Sequence, residues 1–385
     1  MSMSFNIARK EFLAAVNSAI RAVPGKTSQP ILEGLLIEAS GEEISITGNN
    51  LEIGIKSKAK ATVENEGSIV TDARLLHNIL KLLPDADTNF MLKENNEILL
   101  TCLLSEYTLK GVEASSFPQI PELEALQEIK LSAATFKDML SKTLFAAGKD
   151  ENRPILTGVL LEVNSNNLNA VAIDGFRLAH SNSNTEGKLK NVTDTSIVIP
   201  SKTAIELAKT LPYKSDIDVN ISIQSNIALF EYENTKITSK LLEGQYLNYK
   251  TIVPKEFGTM FVINKKDFLD SVERSMLIAS TGSSTNPLRL EILPEKSTII
   301  FTAKSSTGNM REELKIQGKG PNVTIHFNPL FIAEGLRAIN DDVVAIGTND
   351  PLNPMIIQVP DYVYMILPIR PPASFEKEKE EKVAA

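Results

Sequence analysis

The sequence predicts an α+β protein built from three similar repeats, each with two helices and about eight short strands. A strand followed by an amphipathic helix occurs three times, with Phe12, Phe136 and Phe268 at the same place in each copy. A second strand–helix segment also recurs three times, at constant spacing. Runs of alternating apolar and polar residues lie between and after these helices, which is typical of strands buried on one face.

The first segment of each repeat is a short strand, a polar break and a helix. Ser132 and Asn264 stand just before two of these helices, where small polar side chains cap the first turn. The three copies read FNIARKEFLAAVNSAIRAV (5–23), IKLSAATFKDMLSKTLFAAG (129–148) and FVINKKDFLDSVERSMLIAS (261–280).

The next element matches as QPILEGLLIEA (29–39) and RPILTGVLLEV (153–163), with NPLRLEI (286–292) as a weaker third copy. The second strand–helix segments then begin at Ile69, Ile197 and Ile325, and both intervals are 128 residues. A period of this length indicates repeats of domain size rather than a solenoid.

Each repeat has few helices and many strands, and the two kinds of element are separated along the chain. This pattern predicts that the helices pack on one face of antiparallel sheets. Breaker residues near Pro121–Glu128 and Pro254–Gly258 predict the boundaries between repeats. We expect domains at 1–125, 126–257 and 258–370, followed by a disordered charged tail at 371–385.

Composition restricts the class of protein. The 385 residues are 42% hydrophobic and 23% charged, with a net charge of −8 and one cysteine. These values are typical of a globular protein in a reducing cytoplasm, and neither a signal peptide nor a membrane-spanning helix is expected. The negative charge argues against extensive wrapping of nucleic acid, but 40 basic residues are enough to form one basic surface.

Motifs of enzymes are not evident in the sequence. Three histidines and the lone Cys102 have no metal-ligand spacing, and neither a phosphate loop nor a nucleophile elbow is present, so no cofactor or metal is expected. Two alternatives remain open beside a binding protein. One is an enzyme with a cleft between repeats that uses Asp174 and Arg177, and the other is a structural or adhesive repeat protein.

Four stretches carry a resemblance to a known family. They are PILEGLLIEA (30–39) with ITGNNL (46–51), AIDGFRLA (172–179), ITSKLLEGQYLNYKTIVP (237–254) and DYVYMILPIR (361–370). In order and spacing the chain resembles the bacterial DNA polymerase sliding clamps, the beta subunits of the replicative polymerase, from about Phe5 to Arg370.

The resemblance implies a clamp-type fold in which two subunits join head to tail as a homodimeric ring around duplex DNA, with helices lining the hole. It implies a non-catalytic processivity factor. Its implied partners are double-stranded DNA, the replicative polymerase alpha subunit, the clamp loader, translesion polymerases and mismatch-repair proteins, without a membrane.

The resemblance also implies an apolar groove for partner peptides between the second and third domains. Two positions depart from the family, since Phe176 is often histidine and Leu247 often proline, and fifteen residues follow Arg370 where family members commonly end. The groove residues carried over are Arg153, Ile155, Leu156, Ile173, Gly175, Phe176, Arg177, Leu178, Leu247, Ile252, Asn328, Phe331, Pro354, Met365, Leu367, Ile369 and Arg370.

Basic residues on the predicted helices are the expected DNA contacts, because phosphate contacts hold a duplex without reading its sequence. They are Arg9, Lys10, Arg21, Arg74, Lys81, Lys137, Lys142, Lys202, Lys209, Lys265, Lys266, Arg274 and Arg337.

The dimer interface is expected to join the first domain to the third domain of the other subunit. Pairing of an edge strand across this interface would protect it from aggregation. The residues assigned to the interface are Ile79, Leu83, Tyr107 and Leu109 on one side, and Leu277 and Ile278 on the other.

The Asp174-Gly175 pair predicts a tight two-residue hairpin turn, because Asp-Gly favours that connection. We expect this turn to present Phe176, Arg177 and Leu178 to the groove, rather than to form a catalytic loop.

Overall fold

Helices and strands follow one another in the same order in each repeat. The computed structural model describes residues 3–121, 127–164, 167–184, 189–190, 195–214, 216–279 and 286–370, so the expected tail at 371–385 lies outside the described residues. Within them each repeat has two α-helices and nine strands, one more than the sequence predicts. The additional strand is the short fifth one, which follows the long fourth strand after a break.

The first repeat contains helices α1 (Arg9–Ala19) and α2 (Ala73–Leu82). Its strands are β1 (Ser4–Ala8), β2 (Gly34–Ser40), β3 (Glu43–Asn49), β4 (Ile53–Lys60), β5 (Thr62–Asn65), β6 (Gly67–Asp72), β7 (Asp87–Leu92), β8 (Glu97–Cys102) and β9 (Ser105–Val112).

The second repeat contains α3 (Ala133–Thr143) and α4 (Ser201–Thr210). Its strands are β10 (Gln127–Ser132), β11 (Gly158–Asn164), β12 (Asn167–Ile173), β13 (Arg177–Asn184), β14 (Leu189–Lys190), β15 (Thr195–Pro200), β16 (Asp218–Gln224), β17 (Ile227–Tyr232) and β18 (Thr235–Lys240).

The third repeat contains α5 (Lys265–Ala279) and α6 (Pro329–Arg337). Its strands are β19 (Thr259–Asn264), β20 (Leu288–Leu293), β21 (Thr298–Ser305), β22 (Gly308–Lys315), β23 (Gln317–Lys319), β24 (Val323–Phe327), β25 (Val343–Thr348), β26 (Met355–Val359) and β27 (Tyr362–Ile366).

The predicted helix caps are present. Ser132 Oγ accepts a hydrogen bond from the amide of Thr135 at 3.1 Å, and Asn264 Oδ1 accepts one from the amide of Asp267 at 3.1 Å. Each cap satisfies an amide in the first turn that has no partner within its helix, and so fixes where the helix begins.

The phenylalanine shared by the three first helices anchors the core of each repeat. Phe12, Phe136 and Phe268 are all 0% exposed. Each ring lies against another phenylalanine, with centroid distances of 6.3 Å for Phe12–Phe90, 5.9 Å for Phe136–Phe230 and 5.6 Å for Phe268–Phe301. The repeated sequence position is therefore a packing position.

Every strand pairing in the described residues is antiparallel, and the chain forms two compact units. The first consists of Met1–Lys137, Thr185–Thr193 and Lys202–Leu242, and holds a 14-stranded sheet. Its strand order is β14-β10-β16-β17-β18-β4-β3-β2-β6-β9-β8-β7-β1-β5. Pairing of β18 with β4 joins the second repeat to the first within this unit.

The second unit consists of Asp138–Asn184, Asp194–Ser201 and Glu243–Ala385. It holds a nine-stranded sheet in the order β15-β11-β12-β13-β27-β26-β25-β19-β23, and a four-stranded sheet in the order β22-β21-β20-β24. Pairing of β27 with β13 joins the third repeat to the second within this unit.

Candidate partner groove and helix face

The hairpin between β12 and β13 carries the AIDGFRLA stretch. The amide of Asp174 donates to the carbonyl of Arg177 at 3.3 Å, so Gly175 and Phe176 are the two central residues of the turn. The predicted hairpin is correct, but its centre lies one residue later than the Asp-Gly pair indicates. Gly175 has a φ of +90°, which favours glycine at the first central position.

Asp174 shapes this turn through its side chain. Its Oδ1 accepts hydrogen bonds from the amides of Phe176 at 2.9 Å and Arg177 at 3.0 Å. These two bonds replace the backbone acceptor that a regular turn would use, and they leave Phe176 at the tip with 62% of its surface exposed.

Arg177 lies beneath the turn and is only 7% exposed. Its Nε donates to Asp174 at 2.9 Å, its Nη2 donates to the carbonyl of Phe145 at 2.7 Å, and its Nη1 donates to the carboxylate of Glu334. The guanidinium carbon also lies 4.3 Å from the ring centroid of Phe331. Burial and these partners therefore hold the Arg177 side chain beneath the turn, against Phe331 of the expected groove, rather than projecting from the surface.

Several groove residues do come together around Phe176. Its ring lies 6.4 Å from that of Phe331, and its carbonyl accepts a hydrogen bond from the amide of Leu367 at 2.8 Å. Below them Leu178 lies opposite Met365 in the β13–β27 pairing, and the two are 0% and 4% exposed. The outer layer is thus an apolar surface, and Leu178 and Met365 form the core that supports it rather than the surface itself.

A connecting segment adds two more exposed apolar side chains, Leu247 at 48% and Ile252 at 39%. Between them Tyr249 Oη donates to Glu162 at 2.7 Å, and Lys250 Nζ forms an ion pair with Glu162 at 2.9 Å. These bonds attach the segment to β11 and hold both apolar residues in place.

His180 lies beside this attachment. One ring nitrogen is 2.9 Å from Asn169 Oδ1, and the ring is 5.2 Å from that of Tyr249. Burial is the main cause that lowers the pKa of His180, and Glu162 opposes it. The partly buried imidazole is therefore neutral near pH 7.

The other groove residues occupy varied positions. Asn328 caps α6, accepting a hydrogen bond from the amide of Leu330 at 3.0 Å, so its side chain has a structural role. Leu156 and Ile173 are buried, Ile155 and Pro354 partly buried, and Arg153, Ile369 and Arg370 exposed. No hydrogen bond or ring contact within the described residues links Arg153 or Arg370 to the Phe176–Phe331 pair.

Sequence reasoning missed Glu334 and Phe145. Both reach Arg177 from elements far away in the chain, so no local motif reveals them. The repeats do offer a signal, because Glu334 lies 128 residues after Glu206, and Glu206 also pairs with an arginine of the preceding repeat, Arg21, at 3.2 Å.

The basic residues of the predicted DNA face are mostly paired with acids. Arg74, Lys137 and Lys265 instead donate to backbone carbonyls at 2.7–2.9 Å, and Lys81 is exposed. The acidic partners are Asp85 for Arg9 and Lys10, Glu206 for Arg21 and Lys209, Asp138 for Lys142, Glu52 for Lys202, Asp270 for Lys266, Glu312 for Arg274 and Glu273 for Arg337.

Two of the expected interface residues belong to the core of the first repeat. Leu83 and Leu109 are each 4% exposed and pack among its buried residues, so their side chains are not at the surface. Tyr107 and Leu277 are 37% and 74% exposed. Ile79 and Ile278 are partly buried.

Among the described residues, no helix has both the length and the apolar character needed to cross a membrane. No group of three or more His, Cys, Asp or Glu in them is arranged to hold a metal ion.

Comparison with known families matches the three repeats one by one. The N-terminal, central and C-terminal domain families of the DNA polymerase III beta subunit match residues 3–121, 130–248 and 250–370.

Relatives match over nearly the whole chain. The beta sliding clamp of Bacillus subtilis (strain 168) is 30% identical over 382 residues, covering 96% of this chain and 100% of the relative. That of Streptococcus pneumoniae serotype 4 is 32% identical over 383 residues, covering 95% and 99%. The crystal structure of the DNA polymerase sliding clamp from Bacillus subtilis superposes with a TM-score of 0.92 at 28% identity, covering 96% of this chain and 100% of that one. With three repeated clamp domains, the chain belongs to the DNA polymerase III beta subunit family, the sliding clamps that act in DNA replication as non-catalytic, processivity-conferring subunits.

Proposed function

We propose that two copies of this chain close head to tail into a ring around duplex DNA, and that the ring tethers partners through the groove beside Phe176. The observation that carries the ring is a junction between repeats that occurs twice within the chain and leaves two complementary ends. The domains proposed are 1–125, 126–257 and 258–370, with the tail at 371–385.

The junction joins the last strand of one repeat to the fourth strand of the preceding repeat. At the first junction Ile237 of β18 lies opposite Ile55 of β4. At the second, Tyr364 of β27 lies opposite Ala179 of β13. The unmatched ends are then β9, the last strand of the first repeat, and β22, the fourth strand of the third.

Both unmatched strands have an unpaired edge in the described residues. β22 pairs only with β21, and β9 pairs with β8 along its length but with β6 only at Gly111 and Val112. An edge strand of this length attracts another strand. Pairing β9 of one copy with β22 of the other gives hydrogen-bond partners to the unpaired backbone amides and carbonyls of both strands.

The internal junctions also give a register. The last strands begin at the equivalent residues Ser105, Thr235 and Tyr362, and the fourth strands reach the equivalent residues Lys60, Asn184 and Lys315. At both junctions the third residue of the last strand lies opposite one residue of the fourth strand. That residue stands five positions before the end residue just given for the fourth strand. The same rule places Tyr107 opposite Met310 of the partner subunit, and Glu106 opposite Arg311 of the partner subunit, which are of opposite charge.

The helices support the same closure. Arg21, just after α1, pairs with Glu206 of α4 at 3.2 Å, and Asn340, just after α6, donates to Asp138 of α3 at 3.5 Å. In both cases the first helix region of one repeat meets the second helix region of the next. The remaining pair is α5 with α2 of the partner subunit, and Leu277 on α5 is equivalent by repeat position to Arg21.

Within such a ring the helix face, which is the surface that carries the basic residues of the predicted DNA face, meets DNA. The basic residues named above contact phosphates, and because the ring holds DNA topologically, these contacts need only be weak. The partners proposed for the groove are the replicative polymerase alpha subunit, the clamp loader, translesion polymerases and mismatch-repair proteins, in the cytoplasm. Exposed Phe176, Leu247 and Leu367 provide the apolar anchor that such interfaces need.

A cross-linking experiment tests the ring and its register together. A chain with Tyr107→Cys and Met310→Cys is oxidised, and a head-to-tail dimer gives a covalently closed dimer, because opposed residues lie within disulfide distance. The control, Thr108→Cys with Met310→Cys, directs the thiols to opposite faces of the sheet. Monomer only, or equal cross-linking of both variants, overturns the proposed junction.

A further inference from the structure

We infer that Glu206 and Glu273 are built-in counterions that compete with DNA phosphates for the basic residues of the helix face and so keep the contact with DNA weak. This inference rests on the proposed function, because it concerns the surface that meets DNA. It assigns a role to acidic residues on a face where a DNA-binding protein would be expected to carry only basic ones.

Glu206 serves two cations at once. Its carboxylate is 3.2 Å from Arg21 through Oε2 and 3.0 Å from Lys209 through Oε1. The side chains of Arg21 and Lys209 are 37% and 53% exposed, while that of Glu206 is 18% exposed. Both cations are therefore accessible to a phosphate, and the carboxylate is held where it partly neutralises both.

Glu273 neutralises one cation, Arg337, in the third repeat. Its Oε1 accepts hydrogen bonds from Nε and Nη2 of Arg337 at 3.1 and 2.8 Å, and both side chains are about half exposed, at 43% and 50%. Exposed ion pairs contribute little to stability. Fold stability therefore does not account for an acid at this position, whereas weakening of phosphate binding does.

Counterion release gives the size of the effect. Each phosphate that a protein neutralises steepens the dependence of log K on log salt by about 0.9. Removing both carboxylates frees Arg21, Lys209 and Arg337, so the slope should steepen by up to about 2.7. A clamp without these acids would hold DNA more tightly and slide more slowly.

The experiment measures binding of the full-length protein to a labelled 30-base-pair linear duplex between 50 and 200 mM NaCl, by fluorescence anisotropy. The variants are Glu273→Gln and the double variant Glu206→Gln/Glu273→Gln. We expect slopes steeper by about 0.9 and up to about 2.7, with at least about tenfold higher affinity at 50 mM salt for the double variant. Since Glu206 also joins two repeats, Glu273→Gln keeps the test valid if the double variant is destabilised.

Glu231→Gln is the matched control, because Glu231 pairs with Lys236 at 2.6 Å on the sheet, between β17 and β18. It changes net charge by the same amount as Glu273→Gln but frees no helix-face cation, so its slope should equal that of the wild type. Equal slopes in all proteins, with a salt-dependent wild type, overturn the inference, and so does an equal increase in the control. If the wild type itself shows no salt dependence and Arg21→Ala changes nothing, the proposed DNA surface is wrong as well.

Discussion

At Arg177 three segments that are distant in the chain meet on one guanidinium group. Asp174, Phe145 and Glu334 accept its hydrogen bonds, and Phe331 packs against its plane. We therefore predict that Arg177 acts by positioning Phe331 and the turn that bears Phe176.

Arg177→Met should destabilise the protein by about 3 kcal/mol, because it leaves partly buried carboxylates without their cation. Urea unfolding measures this change. Arg153→Met is the matched control, since Arg153 is exposed, and its effect should stay within about 0.5 kcal/mol. Similar effects of the two substitutions would show that the network around Arg177 is not structural.

Phe176→Ala should weaken binding of the replicative polymerase alpha subunit by about 2 kcal/mol, roughly 30-fold, as expected for an exposed aromatic anchor. Surface plasmon resonance gives the affinity, and thermal unfolding should be unchanged. Tyr213→Ala removes an aromatic ring in the other unit that is at least as exposed, 74% against 62%, and should bind as the wild type does. Loss of binding in both variants, or in neither, contradicts the groove assignment.

His180 makes stability depend on pH. Its pKa in the folded state is below the ordinary value of about 6.5. Between the folded and the ordinary pKa, the unfolded chain therefore binds more protons than the folded protein. This contribution is complete above about pH 6.5 and is lost as pH falls through the ordinary value toward the folded pKa. Unfolding midpoints between pH 7.5 and 5 should therefore fall more for the wild type than for His180→Gln. Parallel curves would contradict this assignment.

At the scale of elements, the strands and helices were largely predictable because their patterns are local. Phe12, Phe136 and Phe268 mark equivalent helices, and Ser132 and Asn264 cap them as expected. The sequence places the turn centre one residue too early, because in the structure the side chain of Asp174, not its carbonyl, accepts two amides. Acceptance of these hydrogen bonds by the carboxylate of Asp174, in place of its carbonyl, depends on local geometry that the sequence does not show.

The burial of the residues assigned to the interface is harder to predict from sequence than the core elements are. Leu83 lies on the same face of the helix region as Leu76 and Leu80, which faces the core. On β9, Tyr107 and Leu109 point to the same face, but the core ends between them, leaving one 37% and the other 4% exposed. Alternation predicts a shared face, but it does not predict where the core ends along a strand.

Leu277→Glu should convert the dimer into a folded monomer, because it places a charge in the proposed contact between α5 and α2 of the partner subunit. Sedimentation velocity measures the state, and circular dichroism verifies folding. Leu352→Glu changes an equally exposed leucine, 73% against 74%, outside this face and should remain dimeric. A dimeric Leu277→Glu protein would contradict the proposed interface.

At the scale of the whole molecule, the three-fold repetition is the main support for the domain organisation and for the proposed ring. It was visible in sequence as the 128-residue spacing of Ile69, Ile197 and Ile325, and the three family matches follow it. The pairing of successive repeats was not visible, because register between strands over a hundred residues apart depends on the folded sheet. That pairing, seen twice, gives the rule from which ring closure is proposed.

Retention on DNA tests ring closure most directly. The protein is loaded onto a nicked circular plasmid, separated from free protein by gel filtration, and the plasmid is then cut once with a restriction enzyme. A ring that holds DNA topologically stays with the circle and leaves the linear molecule by sliding off its ends. Equal retention on circular and linear DNA, or no retention on either, would contradict the account.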